Sequence, residues 1–427
     1  MTKGKVMSDS TAMDPYAGNI LTAGLGPLRS RKEVMQCLTE LPKPPKSMAG
    51  VPPHIALHFL MELRDFHLPS NEEGRLHETM ELMVRPIYRY LDPTAASTWS
   101  HVSGEPLKQK RQKAPPFGAA CVGHSGTGKS EAISRCLESY PAQVIHHKSF
   151  PRVEGGHKQL VYLSAEVPPS GKMVDVAEAL MRATDVATGN GRFTGTLARE
   201  RRRDGMQMLN EWQQVAISHF LGVLHLDEVQ NFFKLPSLDK RRQHKGMNGV
   251  PELSIVEDQC LKGILNLMNT SQFALLFSGT PDGIGALMRR LSNTERIAMS
   301  GYHLFSHFEN TSDFKKIFLA QLGKYQYVEK KLPVDDELAS LIIEITGGIQ
   351  RLIIALWIAA HRVALERNTG DLRLADFRYA ADTYLAPVAP AVAALRSKDP
   401  KRMSEYEDLL GGDSMFWPQF WNSVSRL

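Results

Sequence analysis

The sequence predicts an α/β protein in which a mostly parallel sheet is covered on both faces, with a small helical domain before it and a helical subdomain after it. Three patterns carry this expectation. From Phe117 short apolar runs alternate with amphipathic stretches, past residue 311 only helical spacing remains, and residues 53–90 repeat apolar side chains every three or four positions. Open parallel sheets bind ligands at the carboxyl ends of their strands, so the loops following the strands are the first places to look for chemistry.

A chain of 427 residues implies one large domain with appendages. Hydrophobic residues at 42% and charged residues at 23% match soluble globular proteins and exclude wholesale disorder. The net charge of +5, from 51 basic and 46 acidic residues, is too small to announce nucleic-acid binding by itself. The most apolar run, Leu352–Ala360, is far short of a bilayer span and is followed at once by His361 and Arg362, so no membrane segment is expected. The opening MTKGKVMSDSTAMD has no apolar core of secretory length, which points to a cytoplasmic protein. Cys37, Cys121, Cys136 and Cys260 form no CxxC pair, so reduced thiols are expected in place of a zinc site or disulfides.

Four segments follow in order. Residues 1–107 hold the proline-rich joint LPKPPKSMAGVPP and the helical stretches HIALHFLMELRDF and RLHETMELMVRPIYRYL. Residues 108–310 open on an exposed basic linker, KQKRQKAPP, and continue with strands near 117–122, 143–147, 160–165, 221–226, 273–278 and 302–307. Helices are expected between them near 129–139, 172–187, 205–219, 255–271 and 283–291. Residues 311–386 read as four helices, TSDFKKIFLAQL, DELASLIIEIT, IQRLIIALWIAAHRVALER and LADFRYAADTYL. Residues 387–427 turn Pro- and Ala-rich, then charged, and end in MFWPQFWNSVSRL.

The strongest local signal is GHSGTGKS, which fits GxxxxGK[ST] with Gly123, His124, Ser125, Gly126, Thr127, Gly128, Lys129 and Ser130. An apolar strand leads in and a helix leads out, so backbone N–H groups and a helix N-terminus can converge on phosphate oxygens. Lys129 would hold the β- and γ-phosphates, and the Ser130 hydroxyl would ligate Mg²⁺. The acidic half of such a site should end a neighbouring buried strand, and LGVLHLDEVQ supplies it. Asp227 would hold Mg²⁺ through water, and Glu228 would orient and deprotonate an attacking water. His225 in the same strand reads as a core histidine, since no partner histidine shows metal spacing. FALLFSGTP ends in Ser278, Gly279 and Thr280, and a hydroxyl there, Thr280 preferred, would sit between that water and the γ-phosphate. Gly347 and Gly348 stand just before a helix whose first turn carries Arg351, a guanidinium able to reach a phosphate.

These residues resemble those of an AAA+ ATPase in their order: phosphate loop, LHLDE strand, hydroxyl-bearing SGTP strand end and GGIQR lid. The resemblance spans about residues 117–385. Within that superfamily the chain is similar to the TnsC/TniB-type ATPases that regulate DNA transposition, relatives of the phage Mu B protein. That likeness lies in NILTAGLGPLRSRKEVMQCLTELP, LHLDEVQNF and FSGTPDG. It implies an AAA+ P-loop NTPase that binds ATP and Mg²⁺, forms rings or filaments on double-stranded DNA, engages a target selector and activates a transposase. The N-terminal region and the C-terminal tail would then bind partner proteins. ATP would lie between neighbouring copies, each lending an arginine finger, for which Arg289, Arg290 and Arg296 are placed, the first two favoured. The rival readings are a helicase- or clamp-loading motor and a signalling or secretion NTPase without DNA.

Three basic clusters, Lys108–Lys113, Arg199–Arg203 and Lys240–Lys245, are candidates for contact with the DNA backbone. Nothing resembles a helix for reading bases, so binding independent of sequence and sensitive to salt is expected. Phe416, Trp417, Phe420 and Trp421 in the tail are candidate anchors for a partner protein.

Overall fold

The computed structural model describes residues 14–103, 114–198, 204–234, 254–270, 272–290 and 297–397. The basic clusters at 108–113, 199–203 and 240–245, Arg296 and the aromatic tail lie outside the described residues.

The N-terminal region is helical; besides the short helices Ile20–Ala23 and Ala96–Val102 it contains α1 (Arg31–Leu38), α2 (Pro53–Met61) and α3 (Asn71–Tyr90). A capping box starts α3, with the Ser70 backbone N–H donating to Glu73 Oε1 at 3.0 Å and Glu73 N–H donating to Ser70 Oγ at 3.2 Å. The core then runs β1 (Gly118–Gly123), α4 (Lys129–Glu138), β2 (Val144–His147), β3 (His157–Leu160), β4 (Tyr162–Glu166), α5 (Met173–Thr188), α6 (Gly205–Ser218) and β5 (Val223–Asp227). It continues with β6 (Phe233–Lys234), β7 (Ser254–Ile255), α7 (Asp258–Thr270), β8 (Ala274–Gly279), α8 (Pro281–Arg290) and β9 (Gly301–Phe305).

Five strands form one parallel sheet in the order β4-β5-β8-β1-β9. The central strands β1 and β8 are buried along their whole length, which is why GAACVG and ALLFSG read as unbroken runs of small and apolar residues. Strand alternation splits their side chains between two layers. Ala119 and Cys121 face a core shared with Leu76, Met80 and Met83 of α3 and Ile133 and Leu137 of α4. Ala120 and Val122 face the other, with Leu180 of α5, Trp212 of α6 and Ile264 of α7.

The segment 143–147, expected as a strand of the parallel sheet, instead makes an antiparallel ribbon with β3. Its VIHH sequence is only half-buried and carries two histidines, so it cannot fill a position covered on both faces. The short antiparallel pair β6–β7 gave no sequence signal, because two residues are too few to show a period.

Past β9 the chain is helical, as expected. A helix with π spacing over Phe314–Leu319 continues through Ala320–Leu322, and α9 (Asp336–Thr346), α10 (Gln350–Arg367) and α11 (Leu374–Tyr384) follow. A further helix, α12 (Ala389–Ser397), buries Ala391, Val392, Ala394 and Leu395. This helix lies beyond the boundary expected at 386, where the chain turns Pro- and Ala-rich: Pro390 stands in its first turn, where proline loses no internal hydrogen bond.

The N-terminal helices divide their burial between the two bodies that follow. Leu76, Met83 and Tyr88 of α3 belong to the core under the sheet, whereas Ala56 and Leu60 of α2, with Leu63 and Phe66, belong to the core of the lid. Phe66 meets Phe318 and Tyr325 edge-on at centroid distances of 5.8 and 5.4 Å. Among the described residues no single helix is long and apolar enough to cross a membrane. The pair α9 and α10 reaches that composition only when taken together, across a bend of 114°.

Candidate nucleotide-binding site

The strand order explains the site. Because β8 lies between β1 and β5, the loop after β1, the acidic end of β5 and the polar end of β8 all emerge on the same edge of the sheet. Gly126 and Gly128 adopt φ of +82° and +86°, and the latter is the residue that opens α4. No side chain caps α4, so its first N–H groups are left to point at a ligand. A Cβ on Gly126 would come within 2.8 Å of Ile349 Cγ2 and 3.2 Å of Arg351 Nη2, so only glycine lets the lid approach the loop this closely. Thr127 turns inward and its hydroxyl donates to the His124 carbonyl at 2.8 Å, closing the loop on itself. Burial holds the His124 imidazole below its usual range, with His307 acting in the same direction.

Ser130 Oγ donates to Asp227 Oδ2 at 2.8 Å, and Lys129 Nζ lies 4.0 Å from Asp227 Oδ1. Burial pushes the Asp227 carboxyl up, but His225, the Lys129 ammonium and the hydroxyls of Ser278 and Ser130 outweigh it and hold the group below the usual carboxylate range. Asp227 is therefore an anion beside a hydroxyl and an ammonium. That donor set, with an uncapped helix N-terminus, fits a magnesium-bound phosphate chain.

Glu228 follows in the left-handed region at φ +56°, a conformation that costs a non-glycine residue about 1–3 kcal/mol. Its backbone N–H donates to Asp227 Oδ1 at 2.9 Å. Burial and the neighbouring Asp227 charge push the Glu228 carboxyl up, the direction a general base for neutral pH requires. Gln230 holds that carboxylate through its amide N–H, while its amide oxygen accepts from the Thr280 backbone N–H at 3.2 Å. The Gln230 side chain fits because Gly279 and Gly283 have none: a Cβ on either would meet it at 2.7 or 2.6 Å.

The polar end of β8 divides its work differently from the expectation. The Thr280 hydroxyl accepts from Gly283 N–H at 3.3 Å in the first turn of α8, whereas Ser278 donates to Asp227. His225, expected as a core histidine, is indeed buried, and burial holds it down at about 4. Of the two hydroxyls expected at this strand end it is Ser278, and not the preferred Thr280, that reaches Asp227, and Gln230 is not among the residues the sequence points to. The signal for Ser278 is a hydroxyl ending an otherwise apolar run, and His225, which pairs in register with Leu276, reaches it at 2.7 Å only once the strands are side by side; for Gln230 there is no such signal.

The lid meets the loop through Arg351, whose Nη2 donates to Ser125 Oγ at 3.2 Å and whose backbone N–H donates to the Gly126 carbonyl at 3.4 Å. Gly347 ends α9 at φ +62°, and Gly348 at φ +77° accepts a hydrogen bond from Phe308 N–H at 2.8 Å. Arg289 and Arg290 form the last turn of α8, and their side chains lie outside the described residues.

Residues 118–288, from β1 into α8, match the family model described as an AAA domain. Comparison with curated proteins finds no match. Among solved structures, the Aeropyrum pernix ORC1 protein in complex with DNA is similar over 79% of this chain and 76% of its own, at 13% identity and a TM-score of 0.43. Drosophila ORC bound to DNA is similar over 88% of this chain and 74% of that one, at 12% identity and a TM-score of 0.43. The matched segment, the strand order and the meeting of loop and acidic strand end identify residues 118–288 as an AAA domain of the AAA+ ATPases.

Proposed function

We propose that this protein is an ATP-dependent regulator of DNA transposition of the TnsC/TniB kind. It binds ATP and Mg²⁺, assembles as a ring or filament on double-stranded DNA, links a target selector to transposase activation, and hydrolyses ATP to disassemble. The observation that carries the nucleotide part is the convergence of Lys129, Ser130 and Asp227 within hydrogen-bond or ion-pair reach, with Glu228 next in the chain. The DNA and transposition parts rest on the basic clusters and on the family resemblance of the sequence.

Bound Mg²⁺–ATP supplies an electrophilic phosphorus whose charge the metal partly neutralises. The chain's own residues do the rest. The N–H groups opening α4 and the Lys129 ammonium bind phosphate oxygens. The Ser130 hydroxyl and the Asp227 carboxylate would hold the metal, the latter through water. Glu228 takes a proton from water at a carboxylate oxygen, and Thr280 stands at the strand end beside it. Arg351 reports the state of the site to the lid, and Arg289 and Arg290 are the proposed charges lent to a neighbouring copy, where a guanidinium stabilises a transferring phosphoryl group.

Electron microscopy of the full chain with duplex DNA and either a non-hydrolysable ATP analogue or ADP tests the reading. Ordered assemblies with the analogue and none with ADP are expected. DNA affinity should fall steeply with salt and differ little between sequences. Negligible DNA affinity at low salt sinks the DNA part and leaves a nucleotide-dependent switch of another kind.

A further inference from the structure

We propose that Ser164, His225 and Ser278 form a positioning relay for Asp227, a role that rests on the nucleotide-site reading above. Three adjacent strands supply it. Ser164 on β4 pairs directly with His225 on β5, and Ser278 stands on β8, the strand on the other side of β5. Ser164 Oγ lies 2.8 Å from His225 Nδ1, His225 Nε2 lies 2.7 Å from Ser278 Oγ, and the Ser278 hydroxyl donates to Asp227 Oδ1.

The direction of every hydrogen bond follows from the last one. An ionised carboxylate only accepts, so the Ser278 proton is committed to Asp227 and the Ser278 oxygen must accept from the ring. That places the imidazole hydrogen on Nε2 and leaves Nδ1 to accept the Ser164 hydroxyl proton. All three donors then point toward Asp227. With Ser278 bound to Oδ1 and Ser130 to Oδ2, each carboxylate oxygen has its own hydroxyl donor, which fixes the carboxylate plane relative to the phosphate loop.

Stability alone does not call for this arrangement. His225 is 3% and Ser278 0% exposed, between strands otherwise filled with Leu, Val and Phe, where an apolar pair would pack without desolvating two polar groups. A chain of mutually satisfied polar groups ending on one site carboxylate orients that carboxylate and transmits any disturbance of its members to it. Ser164 is exposed on the edge strand, so the outer end of the relay can be altered without opening the core.

The test is steady-state ATP hydrolysis by the full-length protein and by Ser164→Ala, Ser164→Thr and Ser278→Ala, at varied Mg²⁺ and ATP. Ser278→Ala should lower kcat roughly 10- to 100-fold, the loss of one charge-assisted hydrogen bond, and raise the Mg²⁺ needed for half-maximal rate, with KM for ATP within about threefold. Ser164→Ala should lower kcat about threefold in the same pattern, and Ser164→Thr, which keeps the hydroxyl, should restore it. The imidazole ¹⁵N spectrum of histidine-labelled protein should show the Nε2–H form for the resonance missing in His225→Gln. Turnover by the unsubstituted protein together with unchanged kcat and Mg²⁺ requirement in Ser278→Ala, or an Nδ1–H ring, overturns the relay alone. If Ser278→Ala does not fold, the Ser164 pair and the spectrum decide in the same way. No ATP turnover by the unsubstituted protein overturns the functional reading and the relay with it.

Discussion

The Ser130 hydroxyl donates to Asp227 Oδ2 across 2.8 Å, joining the first turn of α4 to the end of β5 although β8 lies between their strands. Neither residue could be placed beside the other by spacing, since 97 positions separate them. The parallel sheet makes the junction: strands of similar length that share one direction deliver their following loops to one edge. Ser130→Ala and Asp227→Asn should each weaken metal binding, raising the Mg²⁺ for half-maximal ATPase by roughly tenfold or more, while ADP binding without metal changes little. Equal Mg²⁺ titration curves for both variants and the parent would separate this pair from the metal.

Glu228 gives a second expectation, with a pH signature. Glu228→Gln should keep ATP and DNA binding and lose roughly 10²- to 10⁴-fold in hydrolysis, the usual share of a general base. A base must be deprotonated to act, so turnover falls as pH drops through its pKa. Burial and Asp227 raise that pKa, placing the acidic limb at higher pH than for an ordinary glutamate. Gln230 donates to the carboxylate and so lowers its pKa, meaning that Gln230→Ala should move the limb to still higher pH as well as reduce kcat. A pH–rate profile in which the Gln230 variant's limb moves the other way would contradict the contact.

What could be read from the sequence follows from what each feature depends on. The loop Gly123–Ser130 and the pair Asp227–Glu228 are local strings whose chemistry dictates their neighbours, so spacing alone exposed them. The strands β1, β5 and β8 were legible because burial on both faces demands continuous apolar runs. Gln230 escaped because its role comes from empty space at Gly279 and Gly283, which lie some fifty residues away and have no meaning until the chain folds. The division of α2 and α3 between two cores escaped for a related reason: periodicity shows that a helix has an apolar face and not what covers it.

Gly348 offers a test of how the lid is seated. At φ +77° with its carbonyl bonded to Phe308 N–H, it leaves no room for a side chain: a Cβ there would lie 1.8 Å from the Phe308 carbonyl oxygen, a backbone atom that cannot swing aside. Gly348→Ala should therefore destabilise by about 1–3 kcal/mol from the dihedral alone, with the clash adding to it. Because Arg351 follows three residues later and holds Ser125, nucleotide affinity should fall in the same variant. Gly285→Ala is the control, since its Cβ would meet nothing within 4 Å. Urea denaturation of the two variants should separate them clearly.

The last helix makes a prediction about where the folded lid ends. Val392 and Leu395 of α12 are buried, and a Cβ on Gly347, at the end of α9, would sit 3.3 Å from Val392 and 3.5 Å from Leu395. Arg396 Nη1 adds a hydrogen bond to the Glu344 carbonyl at 3.2 Å, serving one of the acceptors that the last turn of α9 leaves without a helical donor. Burying those two aliphatic side chains is worth about 3–6 kcal/mol before the entropy of ordering the helix is subtracted. A chain ended at 386, the boundary that prolines suggest, should therefore melt at a lower temperature than one ended at 397, and its loss should concentrate in α9 and in the Gly347–Gly348 turn that seats Arg351. Hydrogen exchange resolves this directly: faster exchange of the α9 amides in the shorter chain is expected, with the strands of the sheet unchanged, and equal protection of α9 in both chains would show that α12 is not part of the lid's support.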